Sequence, residues 1–255
     1  MSWGKIEGSA SISESTQSPS TGYIYVEDLY GLTKIGEDEL ADTDLNLQAI
    51  IADSFSRARA DEEEEMFTTG RGHTTYEEPE GIAVDSTLQT SIGSGAGAGA
   101  NGTYGINWDT DDTLTAEEII EAYYRLGKQY RKNASWLMNS KTEMVLRQKR
   151  AGGYTATDGP WLWEPSLQAG SPNVILGRPC FNNESMKYPA DTTAGINIIF
   201  GDFKTGYRIV DRMAMSMKRL DELYIESGLI GFMAHFRVGG SLVLPAAFQV
   251  ICNDT

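Results

Sequence analysis

Two strand-like stretches near the C-terminus limit what this chain can fold into more than any other feature. GYRIVDRMAMSMKRL (206–220) and IGFMAHFRVGGSLVL (230–244) each run fifteen residues without a proline, and both carry the two-residue period of a strand. Strands in globular proteins usually number roughly five or six residues, so these are long strands. In RMAMSMK, Met213, Met215 and Met217 alternate with small or polar neighbours, which predicts a half-buried strand with methionines in the core. A methionine ladder for copper would use the same residues, but the alternation is that of strand core. In FMAHFRV, Phe232, Ala234, Phe236 and Val238 fall on one face and Met233, His235 and Arg237 on the other. Shorter strands are expected in NVILG (173–177) and INIIFGDF (196–203).

The first half of the chain reads differently. Residues 8–22 are small and polar and read as a loop or a hairpin arm. Tyr23 to Leu32 alternates as a strand does. A helix is expected after Asp42-Thr43-Asp44, good capping types, with Leu47, Ile51, Phe55 and Ala58 as its buried face and an end near Met66. The acids 61–65 at its end read as a solvated face rather than a cation site or a seat for a basic partner. After Ile92 comes GSGAGAGANG, a glycine and alanine linker that marks the internal boundary and should be among the most mobile parts of the chain.

Two motif-like spacings near that linker do not carry their chemistry. Gly97, Gly99 and Gly102 match GxGxxG, but no helix follows to place its N-terminus on a pyrophosphate. Asn107, Asp109, Asp111 and Glu118 match positions of a calcium loop, yet Asp112 stands where the sharp turn needs glycine. Thr115 to Glu118 reads instead as a capping box opening a helix with Ile119, Ile120, Tyr123, Leu126 and Tyr130 on one stripe. An apolar piece, Ala134 to Met138, precedes a second box, Ser140 to Glu143, and a helix that stops at Gly152-Gly153.

Composition excludes several classes. A chain of 255 residues with 40% hydrophobic and 22% charged residues and a mean hydropathy of -0.33 matches folded globular proteins, in one large or two modest domains. No apolar run approaches the roughly 18 residues of a membrane span, and MSWGKIEGSAS lacks the apolar stretch of a secretory leader. Cys180 and Cys252 stand far apart, offering neither a disulfide framework nor a zinc ribbon, and reduced cytosolic folding fits. The net charge of -15 repels phosphate, against direct wrapping of DNA. Charge is uneven, however: residues 125–150 hold eight Lys or Arg against Glu143 alone, +7, so the remainder is at -22.

No catalytic constellation is legible. His73 and His235 are the two histidines, no GxSxG, HExxH or P-loop occurs, and carboxylate pairs among 36 acids carry no information. Catalytic, cofactor-binding and metal residues are therefore all expected to be none, and the residues alone describe an α+β protein without a visible active site.

YRKNASWLMNS (130–140), ILGRPC (175–180), FGDFKTGYRIVDR (200–212) and FRVGGSLVLPAAFQVI (236–251) follow one another in this order. As a series they resemble the tailed-bacteriophage major capsid proteins of the Hong Kong 97 type, and the likeness extends over most of the chain. It implies an α+β subunit with a peripheral domain made of a long spine helix and a long β-sheet (23–92 and 204–238). It also implies an axial domain (93–203 and 239–255) and a remnant of the extended loop (1–22). Family members carry an N-terminal arm and a full extended loop, whereas this chain begins at WGKIEGS within the loop, which implies an N-terminal truncation.

The implied function is a non-enzymatic structural subunit that assembles with itself, as hexamers and pentamers, into an icosahedral shell around double-stranded DNA held without sequence-specific binding. Portal, scaffold and decoration proteins are the further implied partners. No membrane is involved, and assembly takes place in the bacterial host cytoplasm. An encapsulin-like nanocompartment subunit and a hydrolase or binding protein with an unrecognised site are the alternatives. Some members join neighbouring subunits by a lysine–asparagine isopeptide bond assisted by a glutamate. Here Gly228 falls at the asparagine position and His235 at the glutamate position, with Lys5 the lone lysine of the loop remnant, so crosslinking is not expected.

Overall fold

The computed structural model describes residues 22–42, 46–90, 103–107, 114, 116–148, 173–188 and 195–253. Along the chain these form strand β1 (Glu27–Gly36) and helices α1 (Glu37–Asp42), α2 (Leu47–Thr69), α3 (His73–Tyr76) and α4 (Ser86–Thr90). Strand β2 (Gly105–Asn107), helices α5 (Ala116–Arg125) and α6 (Lys128–Arg131), strand β3 (Ser135–Met138) and helix α7 (Ser140–Gln148) follow. Then come β4 (Val174–Ile175), β5 (Arg178–Asn182), β6 (Gly195–Gly201), the turn α8 (Phe203–Gly206), β7 (Tyr207–Leu220), β8 (Leu229–Leu242) and β9 (Phe248–Asn253). The linker Gly93–Gly102, the calcium-like residues Asp109, Asp111 and Asp112, the cap Thr115, the glycines 152–153 and the first 21 residues, Lys5 included, lie outside the described residues.

The two long strands pair with each other and with β1 in an antiparallel sheet of order β1-β8-β7. Helix α2 crosses one face, where Ile51, Ile230 and Phe232 are buried and Ile35, Leu40 and Phe55 pack against them. A Cβ on Gly31 would stand 2.8 Å from the Phe55 ring, so β1 has no side chain where the helix presses closest. The other face is open: Tyr30 is 74% exposed and Leu32 48%. Phe232, Ala234, Phe236 and Val238 lie on the covered face and are buried, while Met233, His235 and Arg237 alternate with them as half-buried residues. This matches the alternation in the sequence.

Local details differ from the sequence expectations. Strand β1 starts at Glu27 rather than Tyr23 and runs on to Gly36, because β8 supplies a partner as far as Leu229. The cap of α2 is Asn46, whose side chain accepts from the Ala49 amide, rather than residues 42–44. Ala58 is exposed, and Arg59 takes its place on the inner face, four residues from Phe55 as helical spacing requires. Of the three alternating methionines of β7 only Met213 is half-buried; Met215 and Met217 are each 37% exposed. The register of β7 shifts between Asp211 and Met213 and again between Met213 and Ser216, and such bulges destroy the simple alternation.

The second sheet is mixed, in the order β2-β9-β6-β3-β5-β4, and is covered on both faces. On one side Trp136, Phe200, Ile198 and Ile251 pack with Ile119, Ala122, Leu126 and Leu146 of the helices. On the other, Ile199, Val250, Phe248 and Cys252 pack with Ile82, Ala83, Leu88 and Met186. Strand β6 is buried almost throughout, hence a sequence that is apolar but for glycines and the buried Asn197. In α5 the buried stripe runs through Ala122, whereas Ile120 is 45% exposed, one step off the 119-122-126 row. The second capping box does not form: Asn139 caps α7 by accepting from the Lys141 amide at 2.9 Å. Glu143 turns inward to accept from Arg147 and Asn173, both at 2.8 Å, and from Asn182 at 2.5 Å.

The chain passes between the sheets through α8 and again between β8 and β9. Gly239 and Gly240 stand there because a Cβ would strike the Tyr25 carbonyl oxygen at the first and the Tyr207 hydroxyl at the second.

Candidate functional site

Catalytic groups are not assembled among the described residues. Both histidines are tied to consecutive acids at the start of β1. His73 Nδ1 lies 2.6 Å from Glu27 Oε1, with its ring stacked on Tyr25 at 4.2 Å. His235 Nε2 lies 3.3 Å from Asp28 Oδ1, which also pairs with Arg237. Cys180 and Cys252 are free and buried. Burial pushes the Cys180 thiol up to about 12 and that of Cys252 higher still, so neither supplies a thiolate at neutral pH. No group of three or more His, Cys, Asp or Glu is placed to hold a metal among the described residues. Glu118 of the calcium-like spacing is buried in α5.

What the structure offers instead is surface of opposite charge on a narrow sheet. From the run of acids in α2, Asp61, Glu62, Glu64 and Glu65 are exposed. Glu63 turns inward onto Arg59, whose Nη2 also reaches Asp211 Oδ1 of β7 at 3.1 Å and whose guanidinium lies over the Phe236 ring at 4.9 Å. One arginine thus clamps the helix to the sheet. A pocket of about 100 Å³ opens between the end of α2, the start of β1 and the loop after α3. Leu29, Met66, Phe67, Pro79 and Val238 form its apolar floor, and Glu27, Asp28, Glu62, Glu63, Glu77 and Glu78 its rim. Glu77 holds a left-handed φ of 55°, uncommon for a residue other than glycine, asparagine or aspartate.

At the passage between the sheets, Glu80 is held by three contacts. Its amide donates to Gly240 O at 3.0 Å, its carbonyl accepts from the Tyr207 hydroxyl at 2.6 Å, and Ser241 Oγ donates to its Oε2 at 2.6 Å. Burial, with the Asp85 carboxyl facing it, raises its pKa. Arg59 and Glu80 are not legible in the sequence, since a charged residue on an inner face leaves no periodic signal.

The sequence matches the Phage capsid family over residues 3–252. The chain belongs to that family. Solved structures agree. The capsid of an empty GTA particle superposes with a TM-score of 0.73 at 26% identity, covering 97% of this chain and 81% of that one. The capsid of a native GTA particle gives 0.72 at 25% identity, covering 91% and 74%. A structure from Microbacterium phage Oxtober96, at 18% identity, shares the fold with a TM-score of 0.64 and coverage of 91% and 73%. No curated protein matches.

The chain is a structural major capsid protein of a phage rather than an enzyme, and its fold is the Hong Kong 97-type α+β capsid fold. Its long strands, spine-like α2 and doubly covered second sheet are therefore parts of a shell subunit. Neither the encapsulin-like nor the hydrolase alternative receives support from these likenesses.

Proposed function

We propose that this subunit assembles with copies of itself into hexamers and pentamers that close into an icosahedral shell around double-stranded DNA. The observation that carries the reading is the family match over nearly the whole chain, on a subunit whose three-stranded sheet is covered on one face only among the described residues. A net charge of -15 suits a container for DNA, because an acidic wall leaves the packaged polymer unbound. Portal, scaffold and decoration proteins are further partners, with assembly in the host cytoplasm. Among the described residues no helix is long and apolar enough to cross a membrane.

A peripheral domain built on β1, α2, β7 and β8, and an axial domain built on the six-stranded sheet, make up the proposed subunit. Ile82, Ala83 and Leu88 pack with β6 and β9, which favours drawing the first crossing at Gly81 rather than at residue 92.

The spine from Gly36 to Met66 holds eleven acids against Arg57 and Arg59, a net of -9. Against basic surface on a neighbour, such charge steers association and is screened over a Debye length of about 8 Å at physiological salt. Sedimentation of the purified subunit between low and molar salt tests this: assembly weakens as salt rises. Indifference to salt contradicts the electrostatic part of the proposal.

A further inference from the structure

We propose that the carboxylate-rimmed pocket beside β1 receives a basic side chain from the β7 edge of a second copy of this chain. The proposal rests on the capsid reading and names one of its contacts. The pocket combines an apolar floor with an acidic rim, about 100 Å³ in all. That chemistry fits a lysine or arginine, whose methylene stem packs on apolar surface while the charged head stays at the rim. Of the rim acids, Glu27, Asp28, Glu63 and Glu78 already face His73, Arg237, Arg59 and Arg71. Glu62 and Glu77 have no cation among the described residues and are exposed.

The cations that answer them are found on the same sheet. Strand β7 is the far edge of the order β1-β8-β7, and on it Arg208, Arg212 and Lys218 are exposed without an ionic partner among the described residues. Part of the basic 125–150 segment is already engaged, although Lys128 and Lys132 stay exposed. Arg125 reaches Glu121, Arg131 donates to the Tyr124 and Leu126 carbonyls, and Arg147 is held by Glu143 and Asn173.

Charges along an exposed edge are ordinarily a guard against strand addition, and these serve that end as well. The acidic pocket and the basic edge of one copy are not paired with each other among the described residues, so a copy does not satisfy itself. Head-to-tail contact between copies does so, and such contacts close into rings when the rotation permits.

Charge exchange tests the contact in the full-length chain. Reversing the pocket (E62K with E77K) or the edge (R208E, R212E and K218E) is expected to lower assembly at physiological salt at least about tenfold, with the melting temperature kept. The isosteric pair E62Q and E77Q is expected to give an intermediate loss. Combining the two reversed sets is expected to restore assembly to within about threefold of wild type, since close charge pairs couple strongly. If wild type assembles and either reversed set leaves it unaffected, or the combination is no better than its parts, this contact is wrong while the capsid reading stands. If wild type forms no oligomer at any salt, the capsid reading fails and the contact with it.

Discussion

Two buried or half-buried charged residues, Arg59 and Glu80, hold the joints of the subunit. Arg59 joins Glu63, Asp211 and the Phe236 ring, so Arg59→Ala should lower stability by about 1–2 kcal/mol, read as a shift of the denaturation midpoint. Glu80 has a raised pKa, through burial first and the facing Asp85 as well. The folded protein therefore holds this proton more tightly than the unfolded chain. The resulting stability is full below the unfolded carboxylate pKa, roughly 4.3, and is lost as pH rises through the higher native value. Glu80→Gln keeps an acceptor for Ser241 and removes the charge. Its melting temperature should exceed wild type at neutral pH, with the difference vanishing near the unfolded pKa; a less stable variant at neutral pH would contradict this. Neither residue was legible in the sequence. Helical spacing offered Ala58 beside Phe55, and only the structure shows the inner position filled by Arg59, because a charged side chain is assigned to solvent until its partners are known.

At the scale of elements, the long strands and the long helix were legible because their periods persist for many residues, and β8 alternates as its sequence does. Strand β7 did not, because two shifts of register cannot be read from a run of methionines, and because an edge strand exposes residues that a central strand would bury. Caps were legible as residue types but not as positions: Asn46 and Asn139 do the work expected of 42–44 and Ser140. The β7–β8 connection bears on maturation chemistry. Gly228, left-handed at φ 61°, closes the turn before β8 and has no side chain to offer, and His235 is tied to Asp28. Uncatalysed amide exchange at neutral pH is prohibitively slow. Particles boiled in detergent should run as one band at 28.0 kDa; a ladder of boiling-resistant oligomers joined through lysine and asparagine would contradict this.

The whole molecule divides its labour between two sheets. The six-stranded sheet is covered on both faces by the chain's own helices and loops. The three-stranded sheet has a small core under α2 and an open face with Tyr30 and Leu32. That difference was invisible in the sequence, since alternation on β1 and β8 tells which residues share a face but not which face stays open. The central claim is that this subunit builds shells, and electron microscopy of the purified full-length chain at low salt tests it most directly. The account predicts closed shells or capsomer rings of five and six copies. A uniform field of monomers, unchanged by concentration or salt, would contradict it.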